Sequence, residues 1–190
     1  MAGVTSIREQ LKRATAPVHA RLERDLGLAG EGLSRPRYIF LLARFYGFHA
    51  AWEPAMARVL ADDAFWAPRR RAPRLAADLN AYGFTDTDMA ALPVCPELPR
   101  LDTTARALGS LYVLEGSRLG GAVVARNLAA VMGARDRSAY FDADRGETAR
   151  LWREYLVRLE GFATPGNAAE IVAAAGDTFD RLHRWLCRGG

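Results

Sequence analysis

Hydrophobic residues recur every three or four positions along most of this chain, which is the spacing of one face of an α-helix. The first such stretch is capped by Thr5 or Ser6, runs to about Leu26 and is broken by Gly27. The same pattern predicts further helices over 34–60, 68–82, a short stretch after Thr85, 103–132, 145–162 and 165–186. No useful length of the chain shows the two-residue alternation of a half-buried strand. The pattern therefore predicts an all-α fold.

Prolines and glycines mark the places where these helices should bend or stop. We expect Pro54 to kink the second helix and Gly83 to end the third. The prolines at 93, 96 and 99 predict an extended connection. The chain has 190 residues, without a repeat, a low-complexity tract or a linker long enough to separate two domains. We therefore expect a single-domain helical bundle over residues 1–190.

Composition and charge narrow the classes of function. Half of the residues are hydrophobic and a quarter are charged, as in an ordinary globular protein. The net charge is +4 and the sequence pI is about 9.4, carried by 25 arginines and a single lysine, Lys12. This balance reflects either genomic base composition or a basic face for an anionic ligand or an acidic protein partner.

Nucleic acid is not an expected partner, because no dense basic run carries interleaved aromatic residues. The cluster Arg69 to Arg71 stands between two prolines and is predicted to be a solvated loop. Charged residues interrupt every apolar stretch before it reaches the roughly 18 residues of a membrane-spanning helix. The N-terminus lacks the features of a secretory signal, and Cys95 and Cys187 are too few for a disulfide framework. We therefore expect a cytoplasmic protein with no membrane segment.

Three glycines interrupt the longest predicted helix. Each of Gly116, Gly120 and Gly121 costs about 1 kcal/mol of helix stability relative to alanine. Gly116 and Gly120 are four residues apart and therefore share a face. A face without side chains admits either a closely packed neighbouring helix or a flat ligand. These residues alone leave both alternatives open.

His19 is the histidine best placed to bind a metal. It lies in an apolar part of the first predicted helix, with Glu23 one turn later. A glutamate at this spacing can accept a hydrogen bond from the second imidazole nitrogen, which orients a metal-bound histidine. Lys12, two turns earlier on roughly the same face, could meet an anionic group at the edge of a ligand. A surface or core role is the alternative for His19, and it is the expected role of His49 and His183.

These segments together resemble the haem oxygenase family. The run LKRATAPVH over 11–19, followed by Glu23, is similar to that family's proximal helix. The run LYVLEGSRLGG over 111–121 is similar to the distal helix of bacterial members that supply chromophore to phytochromes. The residues around Thr178 and Phe179 are similar to the last helix of the family. The resemblance covers almost the whole chain and implies an all-α bundle that holds haem between a proximal and a kinked distal helix.

The resemblance also implies roles for individual residues. His19 would be the axial ligand of the haem iron, and Glu23 would be its hydrogen-bond partner. Lys12 and Arg153 would meet the haem propionates. Tyr112 would be a further propionate or distal partner.

On the distal side, the resemblance implies that Gly116, Gly120 and Gly121 let the helix backbone lie against the haem face. Mammalian members carry an aspartate just after the first of these glycines, where it organises the water that delivers protons to oxygen. This chain has Ser117 at that position. A hydroxyl can hold a water but cannot carry the same charge, so protons must travel through ordered water, backbone carbonyls or another side chain. Arg118 would either contact the ligand edge or face solvent.

The implied activity is the oxidative cleavage of haem b to biliverdin, carbon monoxide and ferrous iron, using O2 and external electrons. The chain has no flavin or nicotinamide fingerprint, so a ferredoxin or flavoprotein reductase would supply the electrons. A bacteriophytochrome is a candidate recipient of the biliverdin. Two alternatives remain: a haem sensor or carrier without turnover, and a fold relative that binds another flat heterocycle, such as a thiamine-degrading enzyme. A Soret band after addition of hemin would exclude the second, and bilin formation would exclude the first.

Overall fold

The computed structural model of the protein describes residues 5–28, 33–132, 138–142 and 144–187. Within these ranges the chain forms eight α-helices and one 3-10 helix, and no strand. They are α1 (Ile7–Leu26), α2 (Arg35–Leu60), α3 (Asp63–Trp66), the 3-10 helix Ala67–Arg69, α4 (Ala72–Ala81), α5 (Asp86–Ala91), α6 (Thr104–Met132), α7 (Arg145–Phe162) and α8 (Ala168–Cys187). The predicted all-α fold is confirmed.

Short polar side chains begin the helices where the sequence predicts. The Ser6 hydroxyl accepts a hydrogen bond from the Glu9 backbone N–H at 3.2 Å, and the residue after α1, Gly27, has a φ of 64°. That left-handed conformation favours glycine, because a side chain would clash there. Thr85 and Asp88 form a reciprocal capping box at the start of α5.

The segment expected to be one helix over 68–82 is divided. Residues 67–69 form the 3-10 helix, Arg70 is extended, and α4 starts at Ala72 with Pro73 in its first turn. A helix tolerates proline only in its first turn. The helix α4 therefore cannot extend further toward the N-terminus with Pro73 in its interior. The helix α2, in contrast, runs unbroken through Pro54, which lies on its exposed side.

The helix α6 lies at the centre of the packing, against α2, α7 and α8, and α8 also packs against α1. The crossing of α6 and α8 is very close at Gly109, where an added Cβ would lie 2.1 Å from the Ile171 carbonyl oxygen. The Trp52 indole donates a hydrogen bond to the Ser110 hydroxyl at 2.9 Å and so joins α2 to α6. The Tyr155 hydroxyl donates to the Leu108 carbonyl at 2.9 Å and joins α7 to α6.

The prediction of a solvated arginine loop at 69–71 is wrong for two of its three residues. Arg70 is exposed, but Arg69 and Arg71 are 2% and 6% exposed. The Arg69 guanidinium donates to the Leu151 carbonyl at 2.9 Å and lies over the Phe65 ring. Arg71 donates to the Tyr140 carbonyl. Carbonyl partners from distant parts of the chain let these charges be buried.

Asp78 holds the turn at 138–142 against α4. Its carboxylate accepts hydrogen bonds from the Ser138 hydroxyl at 2.7 Å and from the backbone N–H groups of Ala139 and Tyr140 at 2.6 and 3.0 Å. Tyr140 and Phe141 are thereby placed beside α6. Among the described helices, none combines the length and the apolar composition needed to cross a membrane.

Two glycine-to-alanine substitutions should have opposite effects on stability. Gly109→Ala would force the Ile171 backbone away from α6, and we expect a loss of about 1–3 kcal/mol in the free energy of unfolding. Gly176→Ala in α8 would meet no described atom within 4 Å, and we expect a gain of about 1 kcal/mol from helix propensity. Denaturant unfolding of both variants measures the difference. Equal stabilities would contradict the close crossing of α6 and α8.

Candidate functional site

A cavity of about 480 Å³ lies between α1, α6, α8 and the turn at 138–142. This volume falls within the roughly 300–1,000 Å³ of small-molecule and cofactor sites. Six of the residues singled out from the sequence line it. They are His19, Glu23, Gly116, Ser117, Gly120 and Gly121. The fold therefore brings the two motifs, about a hundred positions apart in the chain, to one site.

The α1 side of this large cavity presents a histidine. The His19 side chain is 45% exposed, and its Nδ1 lies 3.5 Å from Glu23 Oε2, one helical turn away. The Phe179 ring, from α8, makes a T-shaped contact with the imidazole, with the ring centroids 5.6 Å apart. With Nδ1 directed at a carboxylate, Nε2 is the nitrogen available to a ligand.

The α6 side presents bare backbone, and its glycines have different surroundings. A Cβ added at Gly116 or Gly120 would meet no described atom within 4 Å. A Cβ added at Gly121 would lie 2.8 Å from the Phe141 carbonyl oxygen. Close approach of a neighbouring backbone therefore explains Gly121, which meets the turn at 138–142, as it explains Gly109, which meets α8. It does not explain Gly116 and Gly120, whose open surface suits a flat ligand.

The walls of the cavity are apolar and partly exposed. Leu119 and Val123 of α6 line the cavity and are 50% and 51% exposed. Leu22, Leu26 and Phe45 line other parts of it and are buried. Exposed apolar side chains that converge on a concave surface mark a place where a ligand or partner removes them from water.

Two buried arginines also line the cavity: Arg118, which the sequence left either at the ligand edge or facing solvent, and Arg71, which was expected in a solvated loop. Arg118 pairs with Glu115 at 3.1 Å between Nη1 and Oε1, and both side chains are almost fully buried. Arg118 therefore does not face solvent. Arg71 lies nearby, and burial lowers the pKa of its guanidinium. A glutamate and an arginine three positions apart within an apolar helix were the available signal for the first, whereas Arg71 had no comparable signal.

Ser117 is exposed and lines the cavity, and its hydroxyl donates a hydrogen bond to the Leu114 carbonyl at 2.8 Å. The hydroxyl hydrogen is thus used within the helix. Its oxygen keeps a lone pair with which it can accept a hydrogen bond from water.

Three predicted site residues do not line the cavity. Lys12 and Arg153 are exposed, and the Arg153 Nε donates to the Ala149 carbonyl of its own helix at 3.3 Å. Tyr112 is half-buried against the Trp152 ring, and burial raises the pKa of its hydroxyl. These residues lie on α1, α6 and α7, outside the lining of the cavity.

An all-α protein in which a half-exposed histidine faces bare helix backbone across an apolar cavity belongs to the class that binds a planar cofactor. Comparison with known proteins names the class. The family described as "Heme oxygenase" matches residues 5–188. The chain belongs to the haem oxygenase family.

A relative named "Heme oxygenase" from Xanthomonas campestris pv. campestris is 30% identical over 161 residues, which are 83% of this chain and 93% of that protein. Two solved structures share the fold. Haem oxygenase-1 from Synechocystis, solved with haem, has a TM-score of 0.71 at 17% identity and covers 96% of this chain and 91% of its own. Haem oxygenase from Leptospira interrogans has a TM-score of 0.74 at 16% identity and covers 96% and 99%.

These findings confirm the predicted family, the haem-degrading enzyme class and the helical architecture. They do not support the alternative of a thiamine-degrading relative.

Substitutions at two neighbouring glycines should separate ligand binding from folding. Gly120→Leu should raise the stability of the apoprotein by about 0.8 kcal/mol, because leucine is the better helix former and its side chain enters open space. The same side chain should weaken haem binding. Gly121→Ala should instead destabilise the apoprotein, because its Cβ approaches the Phe141 carbonyl. Denaturant unfolding and titration with hemin measure both effects, and wild-type haem binding by Gly120→Leu would contradict the assignment.

Proposed function

We propose that the chain binds haem b in the large cavity, with His19 as the axial ligand of the iron, and cleaves it to biliverdin, carbon monoxide and ferrous iron. The observation that carries the proposal is the position of His19 opposite the open surface of Gly116 and Gly120 in one apolar cavity. Bound haem supplies the iron that activates O2, and its own porphyrin ring is the substrate. The whole chain, residues 1–190, would act as one haem-binding domain.

On the proximal side, this chain's residues orient the ligand nitrogen. The Glu23 carboxylate lies 3.5 Å from His19 Nδ1, which favours the tautomer with its hydrogen on Nδ1 and leaves the Nε2 lone pair for the iron. The Phe179 ring restrains rotation of the imidazole through its T-shaped contact. A neutral histidine ligand disfavours the O–O cleavage that a thiolate ligand promotes.

On the distal side, which α6 forms, the important feature is the absence of side chains at two glycines. Gly116 and Gly120 present no side chain to the cavity, so neither position can supply an acid or base of the kind that splits an O–O bond. The apolar side chains of Leu119 and Val123 would pack against the bound ring and lose their contact with water. The bare backbone at Gly116 and Gly120 would leave room for O2 on this side of bound haem.

The propionates are expected at the edge of the cavity. The proposed partners of the propionates are Lys12, Arg153 and Tyr112. None of them lines the cavity itself, so the family resemblance alone supports these assignments. Long side chains on exposed helix faces can reach a ligand edge that protrudes from the pocket.

Electrons must come from another protein, and we propose an acidic ferredoxin or flavoprotein reductase. The net charge of +4 favours association with an acidic donor. A bacteriophytochrome is the proposed recipient of the biliverdin, and the cytoplasm is the proposed location. The alternative of a haem sensor or carrier without turnover is not supported, since the matching family and the named relative are haem oxygenases.

Replacement of His19 tests the axial ligand. His19→Ala should abolish normal ring cleavage, because it removes the nitrogen that faces the glycine surface, and added imidazole should restore part of the activity. His183→Ala is the matched control, since His183 pairs with Asp25 at 2.8 Å and does not line the cavity. Haem absorption spectra and bilin production measure both variants. An unchanged spectrum with full turnover in His19→Ala would show that another group binds the iron.

Neutralisation of Lys12 and Arg153 tests the propionate contacts. The variant carrying Lys12→Gln and Arg153→Gln should bind haem more weakly and yield more than one biliverdin isomer, because the in-plane orientation of the ring is no longer fixed. A variant carrying Arg13→Gln and Arg150→Gln removes two exposed charges from the same helices and should keep a single isomer. Chromatography of the bilin products distinguishes the two. A single isomer at the original rate from the first variant would assign orientation to the apolar walls.

A further inference from the structure

The inner end of the large cavity contains polar groups to which the proposed reaction has not yet assigned a role. Arg118 and Tyr140 both line the cavity, and both are about 5% exposed. Arg118 uses one terminal nitrogen for Glu115, while its Nε and Nη2 have no hydrogen-bond partner among the described residues. Buried donors in folded proteins are almost always paired with protein or water. The three N–H groups on these two nitrogens therefore call for a polar partner inside the cavity.

Tyr140 is held rigidly at this place. Its backbone N–H donates to Asp78 at 3.0 Å, and its carbonyl accepts a hydrogen bond from Arg71. The ring packs against Phe45 with the centroids 5.4 Å apart. Its hydroxyl lies 3.3 Å from His49 Nε2. A side chain fixed at both ends in this way can present its oxygen in one direction only.

The direction of the Tyr140 hydroxyl follows from its neighbours. His49 Nδ1 lies 2.9 Å from Glu53 Oε1, which also accepts the backbone N–H groups of Arg71 and Ala72. Hydrogen bonds from His49 and from these amides hold the pKa of Glu53 below its usual range despite burial, so the carboxylate is ionised and can only accept. His49 must therefore carry its hydrogen on Nδ1, and Nε2 is left as an acceptor.

The charge state of His49 agrees with this assignment. Burial lowers the pKa of His49, and the cations Arg71 and Arg118 act in the same direction, against the opposing effect of Glu53. The imidazole is therefore neutral at neutral pH. Burial also raises the pKa of Tyr140, which keeps its hydroxyl protonated. Tyr140 consequently donates to His49, and its oxygen has only lone pairs left for the cavity.

We propose that Arg118 and Tyr140 hold an ordered water at the inner end of the large cavity, and that this water supplies the protons of the reaction in place of the missing carboxylate. The water accepts a hydrogen bond from Arg118 and donates one to the Tyr140 oxygen. Its second hydrogen is then directed into the cavity, where an acceptor on the oxygen side of the ring can take it. The water is restored by a proton from solvent through the open cavity, so one proton enters for each one consumed.

The burial of the ion pair between Glu115 and Arg118 supports a functional role for Arg118. Burying a charge pair costs desolvation energy that its mutual attraction often does not recover, and apolar side chains of similar size are frequently as stable. A contribution to stability alone therefore does not explain why Glu115 and Arg118 are charged residues and not apolar ones. A positioning role explains why Arg118 is fixed by Glu115 on one nitrogen and has its other donors available.

The inference rests on the proposed function, and the test separates the two. Wild-type protein that forms no haem complex would overturn the proposed function itself. Provided that haem binds, the informative variant carries Glu115→Gln and Arg118→Met, because it removes the donors without leaving an unpaired buried carboxylate. Arg69→Met is the matched control, since Arg69 is an equally buried arginine outside the cavity lining.

We expect the double variant to keep its haem affinity and lose turnover by roughly 100-fold, the lower end of the effect of a placed proton donor. Its carbon monoxide complex should show the C–O stretching band at higher wavenumber, because a positive hydrogen-bonding environment has been removed. Arg69→Met should leave that band unchanged. Wild-type turnover and an unshifted band in the double variant would overturn the proposal.

Tyr140→Phe provides an independent arm should the double variant fail to fold. It removes the acceptor of the same water and should also reduce turnover and the solvent isotope effect. Adding Tyr140→Phe to the Glu115→Gln and Arg118→Met variant should reduce turnover little further, because both changes remove one water. Fully additive losses would mean that the two side chains act separately and would overturn the shared site.

Discussion

The close crossing of α6 over α8 governs the geometry of the whole site. At Gly109 the α6 backbone approaches the Ile171 carbonyl so closely that even a methyl group would collide with it. The helix α8 is in turn joined to α1, where Arg21 pairs with Asp180 at 2.9 Å. His19 and the bare surface of α6 are therefore positioned by a common support.

The site combines several features that weaken the fold on their own. Each glycine inside a long helix lowers the stability of that helix by about 1 kcal/mol relative to alanine. Leu119 and Val123 expose apolar surface to water. The ion pair of Glu115 and Arg118, in contrast, is buried away from water. In natural proteins, local departures from the rules of stability concentrate at functional sites. Here they converge on one cavity opposite His19, which distinguishes it from other concave surfaces of the molecule.

The sequence predicted the helices well because the signals are local. Capping by Ser6 and Thr85, and the left-handed glycine after α1, depend on atoms within four residues of each other. The motif around His19 was also recognisable, since Glu23 is one turn away on the same helix. The failures were of another kind. Arg69 and Arg71 can be buried because they donate to the carbonyl groups of Leu151 and Tyr140. No residue near them in the sequence indicates these distant partners.

The sequence by itself determined the helical class and the limits of most helices, and the family resemblance indicated the pairing of a histidine helix with a glycine-rich helix. Only the tertiary structure decided which glycines face open space and which face a neighbouring backbone, as Gly120 and Gly121 do in adjacent positions. It also decided that Arg118 lies inside the cavity and that His49 orients the Tyr140 hydroxyl. The reason is physical. Periodicity and capping are set by hydrogen bonds over one or two turns, whereas the surroundings of a side chain depend on elements that meet only when the chain has folded.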